Sequence, residues 1–195
     1  MFDRPTRRAL LGAGAFAAGS MFGIDESFAG ERLPATPACH DGDEVTLRET
    51  EGPFFKPSSP ERTDLVGAGE AGHPIELTGY VLSRACKPLG GALLDFWHAD
   101  DKGQYDNSGF RLRGHQFTDA EGRYRLRSIV PGLYTGRTRH FHVKVQPHGG
   151  RVLTTQLYFP GEPMNRSDGL FRSALLMRTA EQEGLLAARF DFVVG

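Results

Sequence analysis

After residue 72 the chain consists of short segments in which apolar and polar side chains alternate. Alternation with a period of two is typical of β-strands that bury one face. Seven segments are predicted to be strands: 74–83, 92–98, 112–118, 123–129, 139–146, 151–159 and 189–194. Turn signals rich in glycine and proline separate them. The pattern predicts an all-β fold, a single β-sandwich of about seven to nine strands with long loops.

Two other segments lack this alternation. Residues 30–72 are rich in proline, glycine and charge, and their one compact apolar island is at 50–55. They are expected to form an extended N-terminal arm laid over a sandwich domain at 73–195. Residues 173–188 contain leucine and alanine runs of poor periodicity, and a short helix is expected there.

The first 29 residues differ in kind from the rest. Arg7 and Arg8 precede an alanine- and glycine-rich apolar run that ends near Ile24, and small residues follow at 27–29. This outline is that of a twin-arginine-type signal peptide, which predicts a protein exported to the periplasm or beyond, with no membrane association once mature. The open alternative is a disordered or membrane-anchoring N-terminus, although the run is shorter than the roughly 20 residues that span a bilayer.

Composition limits the choice of partners and domains. A chain of 195 residues suits one domain, and 23 Lys plus Arg against 24 Asp plus Glu give a formal charge of −1. This balance argues against a nucleic acid or an anionic membrane surface as partner. The two cysteines, Cys39 and Cys86, are either one disulfide or two unrelated thiols.

Candidate chemistry begins with His140 and His142. Side chains two residues apart on a strand project from the same face, so the two imidazoles converge as a metal chelate would require. Two exposed histidines on a strand are the alternative for this pair alone. Tyr134 lies just before that strand, after the turn at 131–132, and Tyr105 follows another strand in a loop. Loops at strand ends often display functional groups.

Tyrosine ligands indicate a strongly Lewis-acidic ion. A free phenol has a pKa of about 10 and binds metals poorly at neutral pH unless the ion removes its proton. Two phenolates and one hydroxide would neutralise Fe(III), and two neutral imidazoles would complete its coordination. The sequence therefore predicts one mononuclear non-haem ferric ion. The remaining tyrosines are assigned to the core or to strand positions: Tyr80, Tyr124 and Tyr158.

Ordered motifs over more than half of the chain resemble the intradiol ring-cleavage dioxygenase family, which includes protocatechuate 3,4-dioxygenase and catechol 1,2-dioxygenase. These motifs are TEGPFF at 50–55, GYV at 79–81, PLGGA at 88–92, WHADDKGQY at 97–105, FTDAEGRY at 117–124, PGLY at 131–134, Arg137 with HFH at 140–142, and TQLYF at 155–159. The resemblance implies a Fe(III)-dependent enzyme that cleaves catechol-type rings between the two hydroxyls with O2, giving cis,cis-muconate products.

The resemblance also assigns roles to residues. It makes Tyr105, Tyr134, His140 and His142 the four iron ligands, with Tyr134 the one that the catecholic substrate displaces. It makes Arg137 the active-site arginine that stabilises charge developing on the substrate, and Gln156 a residue lining the pocket. Because all four ligands lie in one chain, a monomer or a homo-oligomer is sufficient.

Two alternatives stay open at this point. One is a β-sandwich module that binds a metal or an aromatic ligand without turnover. The other is a structural, transthyretin-like sandwich with no site. The sequence assigns no ligand role to His98, which follows Trp97 at the end of a strand.

Overall fold

The computed structural model describes Leu33, Cys39 and residues 45–195, and within that part of the chain regular structure is almost entirely β. The strands are β1 Pro74–Ser83, β2 Leu93–Trp97, β3 Arg113–Phe117, β4 Arg123–Ile129, β5 His140–Gln146, β6 Leu153–Tyr158, β7 Arg178–Gln182, β8 Leu185–Arg189 and β9 Phe192–Val194. Two short 3-10 helices occupy Pro163–Arg166 and Ser173–Leu175. The predicted all-β sandwich is confirmed.

The strands form two sheets. One has four antiparallel strands in the order β3-β2-β5-β6. The other has the order β4-β1-β8-β7, with β9 also pairing with β1. Strand β1 pairs antiparallel with β4 but parallel with β8 and β9. The inner faces of both sheets supply the hydrophobic core.

Strand β5 is buried on both faces, which explains where the site lies. Phe141, Val143 and Val145 point into the core between the sheets. Alternation therefore places His140 and His142 on the outer face of the four-stranded sheet, yet both are buried. The loops and the segment before β1 cover that outer face.

Residues 45–72 have no regular strand and run along sheet edges. Their backbone N–H groups donate to strand carbonyls at four points: Thr46 to Val193 at 2.9 Å, Glu49 to Thr154 at 2.9 Å, Arg62 to His115 at 2.8 Å and Leu65 to Arg127 at 2.9 Å. This segment thereby caps edge strands of both sheets. Pairing of this kind satisfies backbone groups that an open sheet edge would leave unbonded.

The cysteine alternatives are resolved. Cys39 and Cys86 form a disulfide with a Cα–Cα distance of 5.8 Å, joining the segment before the sandwich to the turn after β1.

The predicted signal peptide at 1–29 lies outside the described residues. No helix among residues 33, 39 and 45–195 is long and apolar enough to cross a lipid bilayer.

The short helix expected within 173–188 is limited to a single 3-10 turn. Only Ser173–Leu175 is helical, as one 3-10 turn, and the rest forms the β7–β8 hairpin. Glu183 and Gly184 connect the two strands with φ angles of 46° and 84°. A two-residue hairpin turn of type I′ requires positive φ at both positions, and glycine at the second supplies one of them without strain.

Candidate metal centre

Three side chains meet on the outer face of the four-stranded sheet. The Nε2 atoms of His140 and His142 lie 3.1 Å apart. The hydroxyl oxygen of Tyr105 lies 3.4 Å from the first and 3.2 Å from the second. The three atoms thus form a nearly equilateral triangle.

This triangle has the size that a metal ion requires. Separations of 3.1, 3.2 and 3.4 Å place the three atoms on a circle of radius about 1.9 Å. A bond between a metal ion and an imidazole nitrogen is about 2.0–2.1 Å long. The three donors are therefore close enough together for one metal ion to be held by all of them.

The backbone around His140 fixes which of its nitrogens is available. Its Nδ1 lies 2.7 Å from the carbonyl oxygen of Thr138, so Nδ1–H donates there and Nε2 keeps its lone pair. A hydrogen bond on the far nitrogen is the usual way in which proteins orient a ligating histidine.

On the side of His142 away from the triangle, stacking takes the place of a hydrogen bond at Nδ1. Its ring lies parallel to the indole of Trp97, with centroids 4.9 Å apart and 6° between the planes. The two residues are cross-strand partners in the β2–β5 register. Within the described part of the chain, the buried Nδ1 of His142 has no hydrogen-bond partner.

The loop after β2 presents Tyr105. Asp100 shapes that loop, because its carboxylate accepts from the backbone N–H of Lys102 at 3.0 Å and of Gln104 at 2.8 Å. The ring of Phe54, from the segment before β1, stacks on Tyr105 with centroids 4.3 Å apart. The segment before β1 therefore forms one wall of the site.

Tyr134 lies beside this triangle without joining it. Its ring centroid is 5.9 Å from that of Tyr105 and 5.5 Å from that of Phe54, edge-on in both cases. Among the described residues, its hydroxyl has no hydrogen-bond partner, and its side chain is half-buried. The structure therefore brings three of the four predicted ligands into contact and places the fourth at their edge.

The protonation states suit metal binding. Burial lowers the pKa of His140 to about 4, and burial together with His140 holds the pKa of His142 well below its usual value. Both imidazoles are thus neutral at pH 7, with lone pairs to donate. Burial raises the pKa of Tyr105, against the opposing effects of Arg137 and Arg113. Its phenolate therefore requires a cation beside it.

Arg137 and Gln156 lie next to this cluster and are bonded to each other. The Nη2 of Arg137 donates to Gln156 Oε1 at 2.6 Å, and its Nε donates to Asp168 Oδ2 at 2.9 Å. Gln156 is fully buried, and its Nε2 donates to the carbonyl of Thr50 at 2.9 Å. Gln156 therefore connects Arg137 to the segment before β1.

His98 takes no part in the site. Its Nδ1 lies 2.7 Å from the carbonyl oxygen of Ala99 and its Nε2 lies 2.6 Å from Ser128 Oγ, so both nitrogens are engaged. Among residues 33, 39 and 45–195, no three His, Cys, Asp or Glu side chains gather where they could hold a metal. The donor set found here consequently depends on tyrosine oxygen.

Sequence patterns did not reveal the supporting residues. Thr138 orients His140 through its carbonyl, Trp97 stacks on His142, and Asp168 binds Arg137 from a loop after β6. Trp97 stood within a recognised motif, but its pairing with His142 depends on the strand register, which only the structure shows. No sequence pattern pointed to Asp168, because only the packing of its loop brings it to the site.

Comparison with known proteins agrees with this geometry. A family profile described as "Dioxygenase" matches residues 50–194, which is most of the chain. The chain belongs to the intradiol dioxygenase family. Catechol 1,2-dioxygenase 2 of Acinetobacter lwoffii is 32% identical over 90% of this chain and 69% of its own length.

Further relatives of this dioxygenase family extend the comparison. Catechol 1,2-dioxygenase of Acinetobacter baylyi is 28% identical over 84% of this chain, and the match spans 63% of that relative's length. The dioxygenase domain of a dioxygenase carbohydrate-binding protein fusion from Streptomyces sp. SirexAA-E is 58% identical. It matches with a TM-score of 0.76 over 77% of this chain and 98% of that one.

Proposed function

We propose that this protein is a non-haem Fe(III)-dependent intradiol dioxygenase that cleaves catechol-type rings between the two hydroxyls. The observation that supports this most directly is the triangle formed by Tyr105 Oη and the Nε2 atoms of His140 and His142. Two neutral imidazoles and a hard phenol oxygen suit ferric iron, whereas copper(I) favours sulfur ligands.

Each residue around the site has its own proposed role. Tyr105, His140 and His142 would hold the ion, and Tyr134, half-buried and free of hydrogen bonds in the described structure, would be the ligand that gives way to substrate. Ferric iron, when bound, supplies Lewis acidity to a chelated catechol. Arg137 places a fixed positive charge beside the site, where it would stabilise negative charge developing on the ring.

Catecholic rings are the proposed substrate class. The matched relatives are named for catechol, hydroxyquinol, chlorocatechol and protocatechuate. The ring of Phe54, which stacks on Tyr105, provides an aromatic wall that suits a flat ring. Leu133, which is 45% exposed and precedes Tyr134 in the chain, would contribute to the choice among these rings.

An oxygen-electrode screen tests the activity. Purified, iron-loaded protein would be given catechol, protocatechuate, hydroxyquinol, and alkyl and chloro catechols, and products would be identified by ultraviolet spectrum and mass. We expect one O2 consumed per ring and a cis,cis-muconate product. A ring opened beside the two hydroxyls would contradict the proposal. Binding of catechol without oxygen uptake would instead indicate a non-catalytic module.

Metal content is tested separately. Elemental analysis after expression with iron should give close to one iron per chain, with a visible absorption band from tyrosinate bound to Fe(III). Colourless protein without iron would overturn the assignment. A double His140→Ala/His142→Ala variant is the matched negative control, because it removes both imidazoles from the triangle.

Export is part of the proposal. The paired Arg7 and Arg8 before an apolar run support it, and so does the Cys39–Cys86 bridge, because disulfides persist mainly in oxidising compartments. Cell fractionation should find the protein outside the cytoplasm, and Arg7→Lys/Arg8→Lys should retain it inside. Equal distribution of both forms would contradict export by this route.

A further inference from the structure

The guanidinium group of Arg137 is held by two side chains. Its Nε donates to Asp168 Oδ2 at 2.9 Å and its Nη2 donates to Gln156 Oε1 at 2.6 Å. The Tyr158 hydroxyl also interacts with this group, and the Arg137 side chain remains 17% exposed. The guanidinium is therefore a cation held in place beside the metal centre and still partly open to solvent.

Asp168 is itself rigidly placed. Its side chain is only 1% exposed. Oδ2 also accepts from the backbone N–H of Thr138 at 2.9 Å, and Oδ1 accepts from that of Leu170 at 2.9 Å. Although burial raises the pKa of Asp168, these hydrogen bonds and that of Arg137 outweigh burial and hold the pKa below its usual value. The carboxylate is thus an ionised, fixed acceptor.

Gln156 alone could not fix the arginine. Its Oε1 also accepts from the hydroxyl of Tyr158 at 3.0 Å, so this amide oxygen is shared. A planar guanidinium with one anchor can still rotate about it, whereas two anchors at Nε and Nη2 fix its plane. The second anchor is what gives the guanidinium plane a defined orientation.

We propose that Asp168 is a positioning residue that fixes the plane of the Arg137 guanidinium, so that its positive charge is held in place for a bound substrate. This inference rests on the proposed function. It assigns a purpose to a buried carboxylate that lies in a loop after β6 and that sequence motifs did not single out. Loss of the Asp168 carboxylate would misplace the Arg137 guanidinium without removing its positive charge.

Asp168→Asn tests the proposal, since it keeps the shape of the side chain and removes its charge. Glu162→Gln is the matched control, because Glu162 accepts from Arg139 Nε at 2.9 Å, close by along the chain, without contacting Arg137. Misplacement of a catalytic group by about 1 Å can cost about 100-fold in rate. We expect kcat of Asp168→Asn on catechol to fall about 10- to 100-fold, with KM changed less than threefold.

A double-mutant cycle separates positioning from general damage. In an Arg137→Ala background, Asp168→Asn should lower kcat/KM by less than twofold, because the group it positions is gone. Independent, multiplicative losses would overturn the proposal. So would a fall in activity that parallels a fall in iron content, since Asp168 would then act on the metal site itself.

A second readout does not depend on turnover. In metal-free protein labelled with 15N, the Nε–H of Arg137 should give a protected resonance, identified by its absence from Arg137→Lys. The resonance should be lost in Asp168→Asn and kept in Glu162→Gln. A protected resonance in Asp168→Asn would overturn the proposal. Should that variant not fold, Asp168→Glu, which keeps the charge and displaces it, is expected to show the same loss.

Different results would contradict the proposed function and the role of Asp168. Wild-type protein that takes up no oxygen with any catechol contradicts the function. Active wild type with an equally active Asp168→Asn contradicts only the role given to Asp168.

Discussion

Gly103 and Leu133 approach so closely that a β-carbon at position 103 would lie 2.0 Å from the carbonyl oxygen of Leu133. This contact joins the loop that carries Tyr105 to the one that carries Tyr134. The reciprocal contact is at Gly132, where a β-carbon would lie 2.4 Å from the carbonyl oxygen of Asp101. The two tyrosines are therefore neighbours because the two glycines allow the backbones of their loops to pack closely together.

Gly103→Ala should separate these loops. The new methyl group meets backbone that cannot rotate away, and φ at this position is +78°, which alanine adopts with strain. Gly161→Ala is the control, because φ there is +77° with nothing within 4 Å, so it measures the φ strain alone. We expect a loss of about 1 kcal/mol for Gly161→Ala and at least about 2 kcal/mol more for Gly103→Ala in urea unfolding. Equal losses would show that the loop contact is unimportant.

Tyr105→Phe should remove an oxygen donor while leaving the ring that stacks on Phe54. We expect the visible band of the iron-loaded protein to fall to half or less, and kcat/KM on catechol to fall by about 100-fold. Tyr80→Phe is the control, since Tyr80 lies in β1, in the opposite sheet. An unchanged spectrum in Tyr105→Phe would exclude this tyrosine as a ligand.

His98 should make stability depend on pH. Burial lowers its pKa to about 4, against an ordinary value near 6.5 in the unfolded chain. Between pH 4 and pH 6.5 the unfolded chain therefore binds a proton at His98 that the folded protein does not. The contribution of the neutral His98 to the free energy of unfolding is fully present above pH 6.5 and is lost as pH falls towards 4. The loss is at most about 3 kcal/mol.

His98→Gln isolates this effect from that of the other buried histidines. The difference in unfolding free energy between wild type and the variant should shrink as pH falls from 6.5 to 4. A difference that stays constant over this range would be inconsistent with a neutral, buried His98. Titration of the His98 Cε1 proton by NMR gives the pKa directly.

The Cys39–Cys86 disulfide should stabilise the fold. It closes a loop with a sequence separation of 47, and bridges of this kind contribute about 2–4 kcal/mol by restricting the unfolded chain. We expect the Cys39→Ser/Cys86→Ser variant to unfold at lower urea and to be unaffected by reductant. Wild type should become equally unstable when reduced. Wild type insensitive to complete reduction would show that the bridge contributes nothing.

Predictions from the local sequence pattern were correct for features that depend only on residues close together in the chain. The boundaries of β1 and β4 are those predicted from alternation alone. The predicted common face of His140 and His142 also follows from the strand period, and their Nε2 atoms lie 3.1 Å apart.

Where local composition opposed the tertiary fold, prediction failed. The leucine- and alanine-rich stretch that suggested a helix forms β8, because its backbone completes the sheet beside β1. Helix propensity differs by only a few tenths of a kcal/mol per residue among such side chains, so sheet pairing and core burial override it.

The fold class could be predicted from the sequence alone. So could the strand that presents both histidines and the set of residue types suited to ferric iron. These features depend on side-chain period and on donor chemistry, which are local. That Tyr105 reaches the two imidazoles while the ring of Tyr134 lies 5.9 Å from that of Tyr105 follows only from the tertiary structure. It alone brought Asp168 to Arg137, because contacts between distant loops depend on packing that no local pattern encodes.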